Sequence, residues 1–192
     1  MESEQYQYRL LEKKEIDKIR EVDGSHYIHR AWRPVNGARN LVEINYEDPD
    51  FPGGLDDHKE ALYKTYEGNG IILGAFDRHQ RMAGFVSINR KPFGEKYRYV
   101  LLDQLFVTRE LRGKGIGREL FFRAACLVKS WNADKFYICA GSAEDTIAFY
   151  RNLGCADAVE INQEIYEEDP RDLQLEYDLR RGDHECTVSN EQ

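Results

Sequence analysis

Leu105-Phe106-Val107-Thr108-Arg109-Glu110-Leu111-Arg112-Gly113-Lys114-Gly115-Ile116-Gly117-Arg118 decides the reading of this chain. An apolar run enters a turn with glycines at alternate positions, and the turn opens a helix. Ile116, Leu120, Ala124, Leu127, Val128 and Trp131 recur at three and four residues, which is one face of a helix over Gly115–Trp131. A turn of this kind aims several backbone N–H groups at one point, at the positive end of the helix dipole. It is therefore an anion site, suited to phosphate. Arg112, Lys114 and Arg118 add charge. Residues 109–135 hold seven Lys or Arg against three Asp or Glu, a window of +4 in a chain whose formal charge is −8.

Upstream of this stretch the pattern is mostly extended. Tyr6–Leu11 reads as a strand, Lys14–Val22 as a short helix, and Asp56–Tyr66 as a helix closed by Gly68-Asn69-Gly70. Residues 23–54, punctuated by Pro34, Pro49, Pro52 and Gly53-Gly54, read as irregular. Runs at Gly70–Phe76 and Met82–Asn89 form a hairpin, and Tyr97–Val107 is a third strand interrupted at Asp103-Gln104. Downstream come a strand at Phe136–Ala140, a helix over Ala143–Leu153 ending at Gly154, and strands near Ala156–Ile161 and Leu173–Leu179. The expectation is one mixed α/β domain over 1–180, followed by a polar, flexible tail over 181–192.

Composition sets the outer limits. At 192 residues and 41% hydrophobic, the chain can bury a core without metals or disulfides, and it is too apolar for disorder. No run of about 18 apolar residues is present, and the acidic N-terminus is unlike a signal peptide. These features point to the cytoplasm and away from membranes, and the net negative charge points away from nucleic acid. Cys126, Cys139, Cys155 and Cys186 have no C-x-x-C spacing and are expected as reduced structural thiols. The five histidines show no ligand spacing, so no metal is expected.

The glycine turn is not a P-loop, because Gly115 follows Lys114 where Ser or Thr is needed. Nor is it a dinucleotide fingerprint, because Arg118 stands at the third glycine position. Arg112-Gly113-Lys114-Gly115-Ile116-Gly117 after a buried strand resembles the R-x-x-G-x-G turn of the GNAT superfamily of acetyl-CoA-dependent N-acetyltransferases. A second match lies at Thr146-Ile147-Ala148-Phe149-Tyr150-Arg151-Asn152-Leu153-Gly154-Cys155, similar to that family's A-x-x-F-Y-x-x-x-G-F helix end. Thr146 and Cys155 replace its Ala and Phe, and Ala143 stands where an Asn near the pantetheine arm is frequent. The resemblance covers residues 70–160. It implies a single GNAT-like α/β domain, a mixed and mostly antiparallel sheet flanked by helices, with a strand–glycine turn–helix cofactor site.

It also implies roles. Arg112, Gly113, Lys114, Gly115, Ile116, Gly117 and Arg118 would hold the pyrophosphate of acetyl-CoA, and the backbone of Leu105, Phe106 and Val107 its pantetheine. Ser142 is a candidate replacement for the missing Asn. Tyr150 would be the general acid for the departing thiolate, as its phenol keeps its proton at neutral pH. Asp103, a carboxylate amid Val100-Leu101-Leu102 and Leu105-Phe106-Val107, is expensive to bury unless bonded or chemically active. It reads equally as general base, as substrate contact, or as a bulge residue bonded to local backbone.

The acceptor implied is a primary amine. Residues 39–69 carry eight acids against three bases and 157–192 carry twelve against three, so a cationic acceptor (a polyamine, an aminoglycoside-like compound or a lysine) suits the chain. Solvated acidic faces would give the same counts. Tyr27, Trp32, Tyr46, Phe51 and Tyr63 line a pocket or simply pack. Two rival classes use the same turn: a non-catalytic acyl-CoA sensor or interaction module, and a nucleotide-binding regulator. A homodimer is compatible with the sequence but not indicated by it.

Overall fold

The computed structural model of the chain describes residues 6–180. The tail expected over 181–192 and Cys186 lie outside the described residues. Seven strands form one sheet in the order β1-β4-β5-β6-β7-β9-β8. They are β1 (Gln7–Leu10), β4 (Ile71–Phe76), β5 (Met82–Ile88), β6 (Tyr99–Val107), β7 (Lys135–Ala140), β8 (Ala156–Asp157) and β9 (Leu173–Asp178). Every pairing is antiparallel except β6 with β7. All seven residues of β5 are buried. A strand covered on both faces has no polar side to alternate with, which is why it reads as a continuous apolar run.

The core has two halves, one on each face. On one face α2 (Ile116–Val128) lays Ile116, Leu120, Phe121, Ala124, Ala125 and Val128 on the sheet, joined by Ile147 and Tyr150 of α3 (Glu144–Asn152). On the other, Ile16 and Ile19 of a 3-10 helix over Lys13–Glu21 and Leu62 of α1 (Leu55–Glu67) pack on Phe76, Met82 and Phe85. A short helix α4 (Gln163–Glu168), capped by Asn162 accepting from the Ile165 N–H, precedes β9.

Residues 23–54 correct the sequence reading. They hold a two-stranded antiparallel hairpin, β2 (His26–Val35) and β3 (Ala38–Asp48), turned at Asn36 and Gly37 with φ of 51° and 81°. Positive φ at both central residues is the hairpin turn that Asn-Gly favours. The strand expected over Ala156–Ile161 is reduced to two residues, and α4 was not foreseen. Cys139 and Cys155 are free, as expected. Among the described residues no helix is long and apolar enough to cross a membrane, and no cluster of metal-ligating side chains is found.

Candidate active site

The decisive geometry is at the middle of β6. Its parallel register with β7 runs from Tyr99↔Lys135 to Leu102↔Ile138 and stops, although both strands continue. On its other side, β5 pairs Ile88 with Leu102 but Ser87 with Gln104, so Asp103 is the extra residue of a bulge. The bulge changes which residues face which helix. Val100 and Leu102 join the core under α2, and beyond the bulge Leu105 and Val107 do, while Phe106 turns to the α1 side. The interruption at Asp103-Gln104 in the sequence is thus a bulge, and from there to Val107 the β6 edge toward β7 is free of strand pairing.

Asp103 sits at the vertex of that divergence. Burial pushes its carboxyl above the ordinary value, against a hydrogen bond from the Gln104 side chain and the proximity of His58, with Glu168 adding repulsion. On the far side of the divergence, the ends of β7 and β9 form an acceptor-rich patch. The Cys139 thiol lies 3.7 Å from Asp172 Oδ2 and accepts from Gln174 Nε2 at 3.2 Å. Burial pushes the Cys139 thiol up to about 12, and burial followed by Asp169 raises Asp172. Gln174 is buried, and its Oε1 has no partner.

Past Val107 the chain makes a 3-10 turn at Arg109–Leu111 and enters the glycine turn. Gly113 and Gly115 have φ of 77° and 89°, where a Cβ would be strained although nothing else crowds them. Gly117 serves a different end: a Cβ there would meet the Phe149 ring at 3.3 Å, so the glycine lets α2 approach α3. The first turn of α2 lacks a side-chain cap, and the Glu119 N–H is bonded to Gly115 O. The N–H groups of Ile116, Gly117 and Arg118 therefore precede the first intrahelical donor and face out of the helix end. This cradle fits a pyrophosphate.

The basic side chains divide. Lys114 and Arg118 are exposed, with the Arg118 guanidinium over the Phe122 ring. Arg112 turns inward instead, donating to Val107 O at 3.0 Å and Gly24 O at 3.4 Å, with burial lowering its pKa. It holds the turn against the strand rather than presenting its charge.

Tyr150 is 7% exposed, on the α3 face that packs under the sheet. Burial, with the Cys155 and Cys139 thiols nearby, raises its pKa far above neutrality, so the phenol keeps its proton. Ser142 accepts from Arg33 Nη1 through Oγ, and its carbonyl accepts from the Trp32 N–H at 2.8 Å. Its hydroxyl is therefore tied to the hairpin. The structure brings Cys139 near Tyr150, sets Glu168 near both Asp103 and Cys139, and puts the glycine turn at the far end of β6.

Sequence reasoning missed what closes this region. The β2–β3 hairpin straps it from end to end. Glu47 pairs with Arg109 at 2.6 Å beside the glycine turn, Arg30 pairs with Glu144 at the start of α3, and Ala31 bridges Ala143. At the tip Arg39 donates to the carbonyls of Arg171 at 2.7 Å and Asp172 at 3.0 Å. Of the acids expected near an acceptor, Glu168 and Asp169 do face this region, whereas Glu47 is spent on Arg109. Phe51, buried among His58, Phe85 and Phe106, is a packing residue, while Tyr27 and Tyr46 are exposed.

A strand freed at a bulge, running into an N–H cradle on a helix end, is the arrangement that the motifs imply. The family model for the acetyltransferase (GNAT) family matches residues 39–155, more than half of the chain. The chain belongs to that family. Solved GNAT structures share the fold. A nourseothricin acetyltransferase is 19% identical with a TM-score of 0.68, the match covering 91% of this chain and 98% of that one. A GNAT N-acetyltransferase from Escherichia coli, solved with CoA, is 13% identical over 93% and 84% of the two chains, with a TM-score of 0.59. A variant of a spermidine N-acetyltransferase from Vibrio cholerae is 17% identical over 91% and 94%, with a TM-score of 0.56. No curated protein matches by sequence. As a GNAT N-acetyltransferase the protein uses acetyl-CoA, which supplies the acetyl thioester.

Proposed function

We propose that this enzyme transfers acetyl directly from acetyl-CoA to a primary amine on a cationic small molecule or peptide, with Asp103 as base and Tyr150 as acid. The observation that carries the reading is the bulge. A carboxylate of raised pKa then stands at the point where the β6 edge becomes free, with Glu168 near both it and the Cys139 thiol, which contacts Asp172. Such an acceptor-rich wall favours an ammonium-bearing ligand. The names of two structural neighbours, acting on nourseothricin and on spermidine, point the same way.

In this mechanism the N–H groups of Gly113 to Arg118 bind the pyrophosphate, with Lys114 and Arg118 adding charge and Arg112 bracing the turn. The backbone of Leu105, Phe106 and Val107 pairs with the pantetheine amides along the free edge, as an added strand would. Ser142, held by Arg33, borders the thioester. Asp103 takes a proton from the incoming ammonium, because only the neutral amine attacks. The amine nitrogen bonds to the acetyl carbonyl carbon, the carbon–sulfur bond breaks as Tyr150 donates its proton to the departing thiolate, and the second proton shed by the nitrogen restores the Tyr150 phenol through solvent. The amide product carries away the acetyl group.

A thiol-release assay with acetyl-CoA and a panel of spermidine, a streptothricin, an aminoglycoside and a lysine peptide tests the acceptor class. Turnover only with an uncharged arylamine would overturn it. Asp103→Asn should lower kcat about 100-fold at neutral pH, in the range of general-base effects. An unchanged kcat would remove Asp103 from the role of base.

A further inference from the structure

We propose that His58 is a positioning residue that fixes Asp103 at the bulge by clamping the side chain of Gln104. The inference rests on the reading of Asp103 as base and adds the machinery that holds it. His58 is on α1, on the opposite side of β6 from the core under α2. Its Nδ1 lies 2.8 Å from Gln104 Oε1, and its own carbonyl accepts from Gln104 Nε2 at 3.2 Å. Both ends of the Gln104 amide are thus bonded to one residue. Gln104 follows Asp103 directly in the chain and is the residue paired with Ser87 at the bulge, so fixing its side chain fixes the backbone that carries Asp103.

His58 is itself immobilised. Its Nε2 is 2.8 Å from Pro52 O, and the ring meets Phe51 at 5.2 Å and Phe106 edge-on at 5.0 Å between centroids. Both ring nitrogens are engaged by carbonyl oxygens, so neither is turned toward an acceptor amine as a base. The titratable groups facing Asp103 are His58 from α1 and Glu168 from α4. A bulge residue has no register partner of its own on the β5 side. Gln104, 6% exposed, is the neighbour that can hold it, and Gln104 depends on His58.

The test compares His58→Ala, His58→Asn, Asp103→Asn and the His58→Ala/Asp103→Asn double variant, using acetyl-CoA with spermidine, streptothricin, the aminoglycoside and the lysine peptide. Misplacing a catalytic group by an ångström costs about 10- to 100-fold, so His58→Ala should lower kcat by that factor with the acetyl-CoA KM unchanged. His58→Asn, whose side-chain amide can reach Gln104 as Nδ1 does, should recover most of it. In the Asp103→Asn background His58→Ala should cost little more. Equal losses in both backgrounds, or no recovery with Asn, would overturn the proposal.

A readout independent of turnover is the Asp103 carboxyl titration by carbon NMR, assigned with Asp103→Asn. The Gln104 bond and the His58 ring both lower this pKa, so His58→Ala should raise the midpoint and His58→Asn should raise it less. An unmoved midpoint in His58→Ala refutes the clamp. A full kcat in Asp103→Asn with a moved midpoint refutes the base role while leaving the clamp in place.

Discussion

In the mechanism proposed above, the two ends of β6 recognise their ligands by different means. At Val107 the work is done by backbone: N–H groups of the glycine turn, with Gly113 and Gly115 at positive φ and Gly117 making room for Phe149. At Asp103 the work is done by side chains from α1, α4, β7, β9 and the β2–β3 hairpin, gathered from residues as distant as His58 and Asp172. A backbone device is local and keeps its spacing in the sequence. A side-chain wall is assembled only by the fold and can be rebuilt for a new acceptor without disturbing the cofactor.

Tyr150→Phe probes the join between the two ends and should have the largest effect. It removes the proton meant for the thiolate and should lower kcat about 100-fold while acetyl-CoA binding, followed by calorimetry, stays unchanged. A comparable loss of affinity would make Tyr150 a packing residue of the cofactor end. Next comes the glycine turn. A side chain forced to φ of 77° at Gly113→Ala costs about 1 kcal/mol, so the acetyl-CoA KM should rise about fivefold with the amine KM unmoved.

Arg39→Ala should do the reverse. It releases the hairpin tip from the Arg171 and Asp172 carbonyls, and a lost hydrogen bond of about 1 kcal/mol predicts a few-fold rise in the amine KM alone. Equal changes in both KM values would mean that the strap is not confined to the acceptor end.

The smallest effect is on stability. The folded pKa of Asp103 lies above its unfolded value, so the native state holds its proton over a window in which the unfolded chain has lost it. Stability is therefore lost as pH rises through that window, and the loss persists above it. Asp103→Asn should raise Tm at neutral pH, with the gain disappearing below about pH 4, where the unfolded carboxyl is protonated as well. A lower Tm at neutral pH would mean that the ionised carboxylate stabilises the fold.

The same contrast explains what the sequence made legible. Periodicity located β4 to β7, α2 and α3, because each buries a face or both faces and must show it. The motif residues 112–118 and Tyr150 stood out for the same local reason. The hairpin did not, because Pro34, Pro49 and Pro52 masked it, although Asn36-Gly37 is a hairpin turn signal that the reading of 23–54 as irregular passed over. His58 gave no signal at all. A histidine among acids on a helix becomes informative only when the fold sets it against Gln104, 46 residues away.

The bulge also sets a rule about chain length. Asp103 can be exchanged for another residue and the strand still reads in phase on both sides. Deleting it would be another matter: Gln104 would follow Leu102 directly and still pair with Ser87, and Leu105 and Val107 would stay in the α2 core, but the strand would lose the bulge at which it parts from β7. The extra residue between Leu102 and Gln104 thus sets the course of β6 rather than its register, and its deletion should leave the core packed while removing the divergence from β7.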